Sequence, residues 1–130
     1  MSTLRTNALE GMDAKNSITI VAGAGNITTT NVQEGLCKVW AKFNGSSFST
    51  SGDDTFNVTS LTDDGTGDYT ITIANDFNNA NFVHLSTGVE FNTLNDSANT
   101  AGTMQFGSYD NSGSRTDTAR NFVAGLGDLA

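Results

Sequence analysis

The densest set of side chains able to do chemistry is Asp63-Asp64-Gly65-Thr66-Gly67-Asp68, inside the stretch SLTDDGTGDYTITI (residues 60–73). Carboxylates packed this closely raise two chemistries, divalent-cation binding and acid–base catalysis. An EF-hand loop needs oxygen ligands at alternating positions, a central glycine and a distant bidentate glutamate. The spacing here fails that template, and no glutamate closes it. Two strand-like segments flank the run, so it reads as the turn of a β-hairpin, with Asp serving nearby backbone N–H groups. Asp53-Asp54, after Ser51-Gly52, reads the same way.

Cys37 and His84 are the chain's one thiol and one imidazole. A nucleophilic pair would need them adjacent in space with an orienting third group. Both fall mid-strand, and the expectation is a buried small residue and a strand histidine. A zinc site draws three or four ligands from Cys, His and carboxylates, and this pool is too small. Gly23-Ala24-Gly25 resembles part of a nucleotide loop but lacks the third glycine, the helix and the Walker lysine. Arg115 and Arg120 flank Asp117 and read first as ordinary surface charge, with a sugar-facing or partner-facing patch as the alternative. Trp40, between Lys38 and Lys42, reads either as a partner-facing or sugar-facing side chain or as one packed against a neighbouring sheet. No catalytic, cofactor-binding or metal residue is assigned, no cofactor is expected, and the chain is not read as an enzyme.

The elements that must position these groups are strands. A chain of 130 residues suits one domain, since domains commonly hold about 100–150 residues. Charged residues are 15% of the chain, and Thr, Ser, Asn and Gly fill the gap, a balance that favours β-structure with many turns. The net charge of −8 leaves no basic cluster for nucleic acid or an anionic membrane. One cysteine permits no intrachain disulfide. No apolar run reaches the length of a membrane span, and residues 1–16 lack the apolar stretch of a signal peptide, so synthesis in a cytoplasm is expected.

Strands are expected at 17–21, 36–43, 55–62, 69–73, 81–86, 89–94, 103–106 and 119–124. Residues 69–73 alternate most cleanly, with Tyr69, Ile71 and Ile73 on one face. In 36–43, Cys37, Val39, Ala41 and Phe43 share one face and Lys38, Trp40 and Lys42 the other. The expected architecture is all-β: an antiparallel β-sandwich or jelly-roll-like single domain over 17–130, led by an N-terminal arm over 1–16. The expected core is Val39, Phe43, Phe56, Val58, Tyr69, Ile71, Ile73, Phe82, Phe91, Phe106 and Phe122.

The middle of the chain resembles a β-rich domain of virion structural proteins of tailed phages, especially marine ones. KVWAKFNG at 38–45 follows that family's form K-x-W-x-x-F-N-G. FNVTSLTDDGTGDYTITI at 56–73 follows F-N-V-x-S-(I/L)-T-D-x-G-T-G-D-Y-T, in the same order and spacing. NANFVHL, the GLGD near the C-terminus and the opening MSTLRTN are weaker echoes. The resemblance implies a non-enzymatic virion component made in the host bacterial cytoplasm. Long fibre proteins of that kind carry the domain behind a shaft, whereas a free-standing copy implies a capsid decoration (cement) protein on the head or a short fibre or knob on the virion surface. Its implied partners are the major capsid protein or other virion proteins and further copies of itself, a trimer being one form, with no nucleic acid and no membrane. The alternative is a tail-fibre or tail-tip adhesin recognising host surface glycan. A glycan-cleaving enzyme is a more distant reading, requiring paired carboxylates about 5–10 Å apart in a cleft.

Overall fold

The strictest alternation, DYTITI at 68–73, forms a strand in the middle of a sheet. The computed structural model of the chain describes residues 19–21, 29–31, 35–50, 52–94 and 98–130, with 19–21, 29–31 and 91–94 described as backbone. The arm expected over 1–16 and the Gly23-Ala24-Gly25 turn lie outside the described residues.

Among the described residues, ten strands run in chain order as β1 (Thr19–Val21), β2 (Thr29–Asn31), β3 (Cys37–Phe43), β4 (Asp54–Phe56), β5 (Val58–Gly65), β6 (Asp68–Ile73), β7 (Val83–Gly88), β8 (Phe91–Leu94), β9 (Thr103–Tyr109) and β10 (Asn121–Leu126). β1 and β2 pair as an antiparallel ribbon. The others form two four-stranded antiparallel sheets, β4-β3-β10-β7 and β5-β6-β9-β8. The two sheets pack as the all-β antiparallel sandwich that the alternating patterns predict.

The core lies between them. Val39, Ala41, Phe43 and Val123 enter from the first sheet; Leu61, Tyr69, Ile71, Ile73, Met104 and Phe106 enter from the second. Phe43 meets Tyr69 and Phe106 edge-on, with ring centroids 5.1 and 5.7 Å apart, the offset geometry that aromatic quadrupoles favour. Phe77 and Phe82, from the crossover between β6 and β7, stack at 4.1 Å and complete the core.

Several facing expectations are corrected. Residues 55–62 are not one strand, because the chain changes sheets at Asn57, which holds a left-handed φ of 57°. Asn tolerates that conformation, and here its side chain replaces strand pairing. Its Nδ2 donates to Lys38 O and Asn75 O at 3.0 Å each, while its Oδ1 accepts from Asn75 N and Nδ2 at 2.8 Å. The corner leaves Phe56 52% exposed, Val58 partly buried and Leu61 in the core. Phe122 is also outside, because Asn121, Val123 and Gly125 take the inward positions of β10. The side chain of Phe91 lies outside the described ones.

Cys37 is exposed rather than buried, and Lys38 is buried rather than exposed. The β3–β10 register shows why. Gly125 pairs with Val39 but Leu126 pairs with Cys37, so β3 carries an extra residue there. Such a bulge slips the inward/outward phase by one.

Leu61, at 1% exposure, tests the corner. Leu61→Ala should cost about 2–5 kcal/mol by chemical denaturation, as large-to-small core changes do, and Ile71→Asp should prevent folding, since it would bury an unpaired charge. An unchanged midpoint in either variant would mean that β5 or β6 faces the other way.

Candidate functional site

The acidic run closes the β5–β6 hairpin, in which Leu61 pairs with Ile71, Thr62 with Thr70 and Asp63 with Tyr69. Its carboxylates are held apart by separate tasks. Asp63 Oδ1 accepts from Gly65 N at 3.0 Å, and Asp64 Oδ2 accepts from the Thr70 hydroxyl at 2.6 Å. Asp68 Oδ1 pairs with Arg115 Nη1 at 3.0 Å. Among the described residues no group of three or more His, Cys, Asp or Glu side chains is placed to hold a metal ion.

The turn is gripped by the loop that joins β9 to β10. Asp117 Oδ1 accepts from Gly67 N at 2.6 Å and from the Tyr69 hydroxyl at 2.9 Å. Arg115 Nη1 donates to Gly67 O at 3.1 Å while its guanidinium lies 5.3 Å from the centre of the Tyr109 ring. Ser108 N donates to the same Gly67 oxygen. Only glycine fits at 67: φ is +63°, and a Cβ would stand 2.5 Å from Ser108 O and 2.7 Å from Thr116 N. The expectation of plain surface charge therefore fails for Arg115, which is committed to the turn. Sequence reasoning missed this because the partners lie 48 and 50 positions apart. The loop itself is set by Asp110, whose Oδ1 accepts from Ser112 N, Ser112 Oγ and Ser114 N. Those bonds, the Ser112 hydroxyl first, hold its carboxyl below the usual range.

Cys37 and His84 form no pair. β10 separates their strands, with Leu126 opposite Cys37 on one side and Gly125 opposite His84 on the other. His84 points inward among Phe82 and Phe106, with ring centroids 6.5 and 6.3 Å away, while Cys37 stays exposed.

What the first sheet does bring together is apolar. Phe56, Trp40, Ala124 and Leu85 are successive register partners across β4, β3, β10 and β7. Beside this row stand Phe122 on one side and Leu126 with Val83 on the other, all on the outward positions of their strands. Phe56, Leu85, Val83 and Phe122 are 40–57% exposed. The second sheet presents the opposite character, with the rows Thr62-Thr70-Gln105 and Ser60-Thr72-Thr103 outward. A groove of about 640 Å³ at the end of β7 adjoins this face through Val83, Leu85 and Leu126 and is lined further by Asn78, Asn79, Asn81 and Asp128 over Phe77 and Phe82.

Two measurements check the grip on the turn. Asp117→Ala strands the Gly67 N–H and the Tyr69 hydroxyl, and should cost on the order of 2 kcal/mol. Asp117→Asn, which keeps an acceptor, should cost less, and equal losses would assign the effect to charge alone. Burial first, and then the Asp117 carboxylate, pushes the Tyr69 hydroxyl far above its ordinary value. A raised value favours the neutral hydroxyl in the fold, so its stabilisation is complete below about pH 10 and is lost as pH rises beyond that. Melting temperature should fall with alkaline pH more steeply in the wild type than in Tyr69→Phe; parallel curves would sink the assignment.

Comparison of the chain with protein families, curated proteins and solved structures returns no match.

Proposed function

We propose that this chain is a non-enzymatic structural component of a phage virion, a capsid decoration protein seated on the head surface and contacting the major capsid protein. The observation that carries the reading is the use the fold makes of the phage-like stretch at 56–73. Asn57 turns the chain from one sheet to the other, Gly67 fills the turn where no Cβ fits, Asp68 pairs with Arg115, and Tyr69 is buried against Asp117. The residues that carry the resemblance are thus the residues that hold the sandwich, which is what a shared building block requires. The potentially reactive side chains are dispersed or committed, as Cys37, His84 and the three hairpin aspartates illustrate. Many weak contacts on a repeating lattice gain strength by multivalency.

A second reading, a tail-fibre or tail-tip adhesin binding host surface glycan, draws on the groove of Asn78, Asn79, Asn81 and Asp128. Amide and carboxylate groups suit sugar hydroxyls.

Imaging of intact particles with the protein labelled separates these readings by copy number. Decoration predicts hundreds of copies distributed over the head, together with binding of the purified protein to expanded capsids. A handful of copies at the tail, with glycan binding lost in Asn79→Ala or Asn81→Ala, would replace it with the adhesin.

A further inference from the structure

We propose that the outer face of the β4-β3-β10-β7 sheet is the seat of a second copy of this chain, the two sandwiches stacking back to back about a two-fold axis. The two outer faces of the sandwich differ in kind. One carries threonine, serine and glutamine across its centre, and the other carries Phe56, Trp40, Ala124 and Leu85, with Phe122 and Val83 beside them. An antiparallel sandwich commonly keeps its outer positions polar, and among the described side chains the centre of the second sheet, across β5, β6 and β9, does so. Phe56, Val83, Leu85 and Phe122 are 40–57% exposed. Together they present on the order of 400 Å² of apolar surface, within the range of roughly 300–600 Å² for the largest patch on a monomer. Trp40, Ala124, Leu126 and a polar rim bring the face towards the roughly 800 Å² per partner of a standard interface.

Charge selects the occupant. The chain carries −8 overall, and surfaces of like sign repel. The strands of this face bring to it Lys42 and Asp54, which are register partners, and Lys42 also lies 3.8 Å from Asp53. Two copies can meet here without opposing their acidic surfaces. A basic foreign partner would find its electrostatic complement elsewhere on the molecule, because this face offers almost nothing for it to read.

Shape is self-complementary as well. An axis along the strands reverses the order across the sheet, so Trp40 falls over Ala124 of the other copy and Phe56 over its Leu85, large against small. Sheets stacked this way pack about 10 Å apart with strands within about 30° of each other. The inference needs no virion and stands apart from the proposed function.

Sedimentation equilibrium of the full chain at high micromolar concentration provides the test. The expected mass is twice the 13.6 kDa of the chain, falling to 13.6 kDa in Leu85→Asp and Phe122→Asp, with unchanged far-ultraviolet circular dichroism. Should either variant not fold, dilution of the wild type gives an independent reading. Trp40, the sole tryptophan, should shift its emission to the red as the pair dissociates. A wild-type monomer at that concentration overturns the proposal, including one that becomes larger only when another protein is added. So does a trimer, or a dimer that persists in both folded variants.

Discussion

Tyr69 is the residue through which the parts of this sandwich are joined. Its ring fills the space between the sheets, meeting Phe43 edge-on from across the core and lying 5.6 Å from Phe106 in its own sheet. Its hydroxyl reaches the edge of the core and donates to Asp117, whose same oxygen takes the N–H of Gly67. Gly45 closes over that hydroxyl so tightly that a Cβ there would stand 2.1 Å from it. Apolar packing, the hairpin turn and the loop from β9 to β10 are therefore one arrangement. A side chain with a large apolar body and a single polar tip suits such a place, because the tip must be hydrogen-bonded when it is buried.

The parts of this fold that were legible in the sequence are those whose cause is local. Alternation in 69–73 and at the centre of 36–43 reports a strand with one wet and one dry face, and the glycines around Thr66 report the turn between β5 and β6. Illegible were events set by residues far away in the chain. The phase of β3 slips at Cys37 because of the bulge opposite Leu126. Phe77, between the strands expected at 69–73 and 81–86, is buried because the crossover closes one end of the core. Leu61 and Met104 gave no pattern of their own that distinguished them from exposed neighbours.

The candidate surfaces were less legible than the fold, for a related reason. Phe56 and Phe122 occupy strands, and a phenylalanine in an alternating strand is ordinarily core, so their exposure appears only once Asn57 and the register of β10 are known. Trp40 was open between two readings, and the structure places it on an outward position between Phe56 and Ala124. Arg115 reads as surface charge, and Asp117 draws no reading of its own, because their partners lie far away in sequence. The acidic hairpin shows the converse. Its local spacing was sufficient to recognise a turn, and the structure adds what each carboxylate holds.

The position of β10 bears on how the chain reaches this state. It is the last strand of the sandwich in sequence yet lies inside its sheet, between β3 and β7, pairing Val123 with Ala41 and Ser86. Until it inserts, β3 and β7 each lack an inner neighbour, and their unpaired backbone groups are templates for strands of other chains. Pairings of such long sequence separation are slow to form, because loop closure precedes any gain from the contact. During synthesis the first sheet therefore stays incomplete until residues 121–126 have emerged, and rapid, crowded production is the condition under which this chain is most exposed to mispairing.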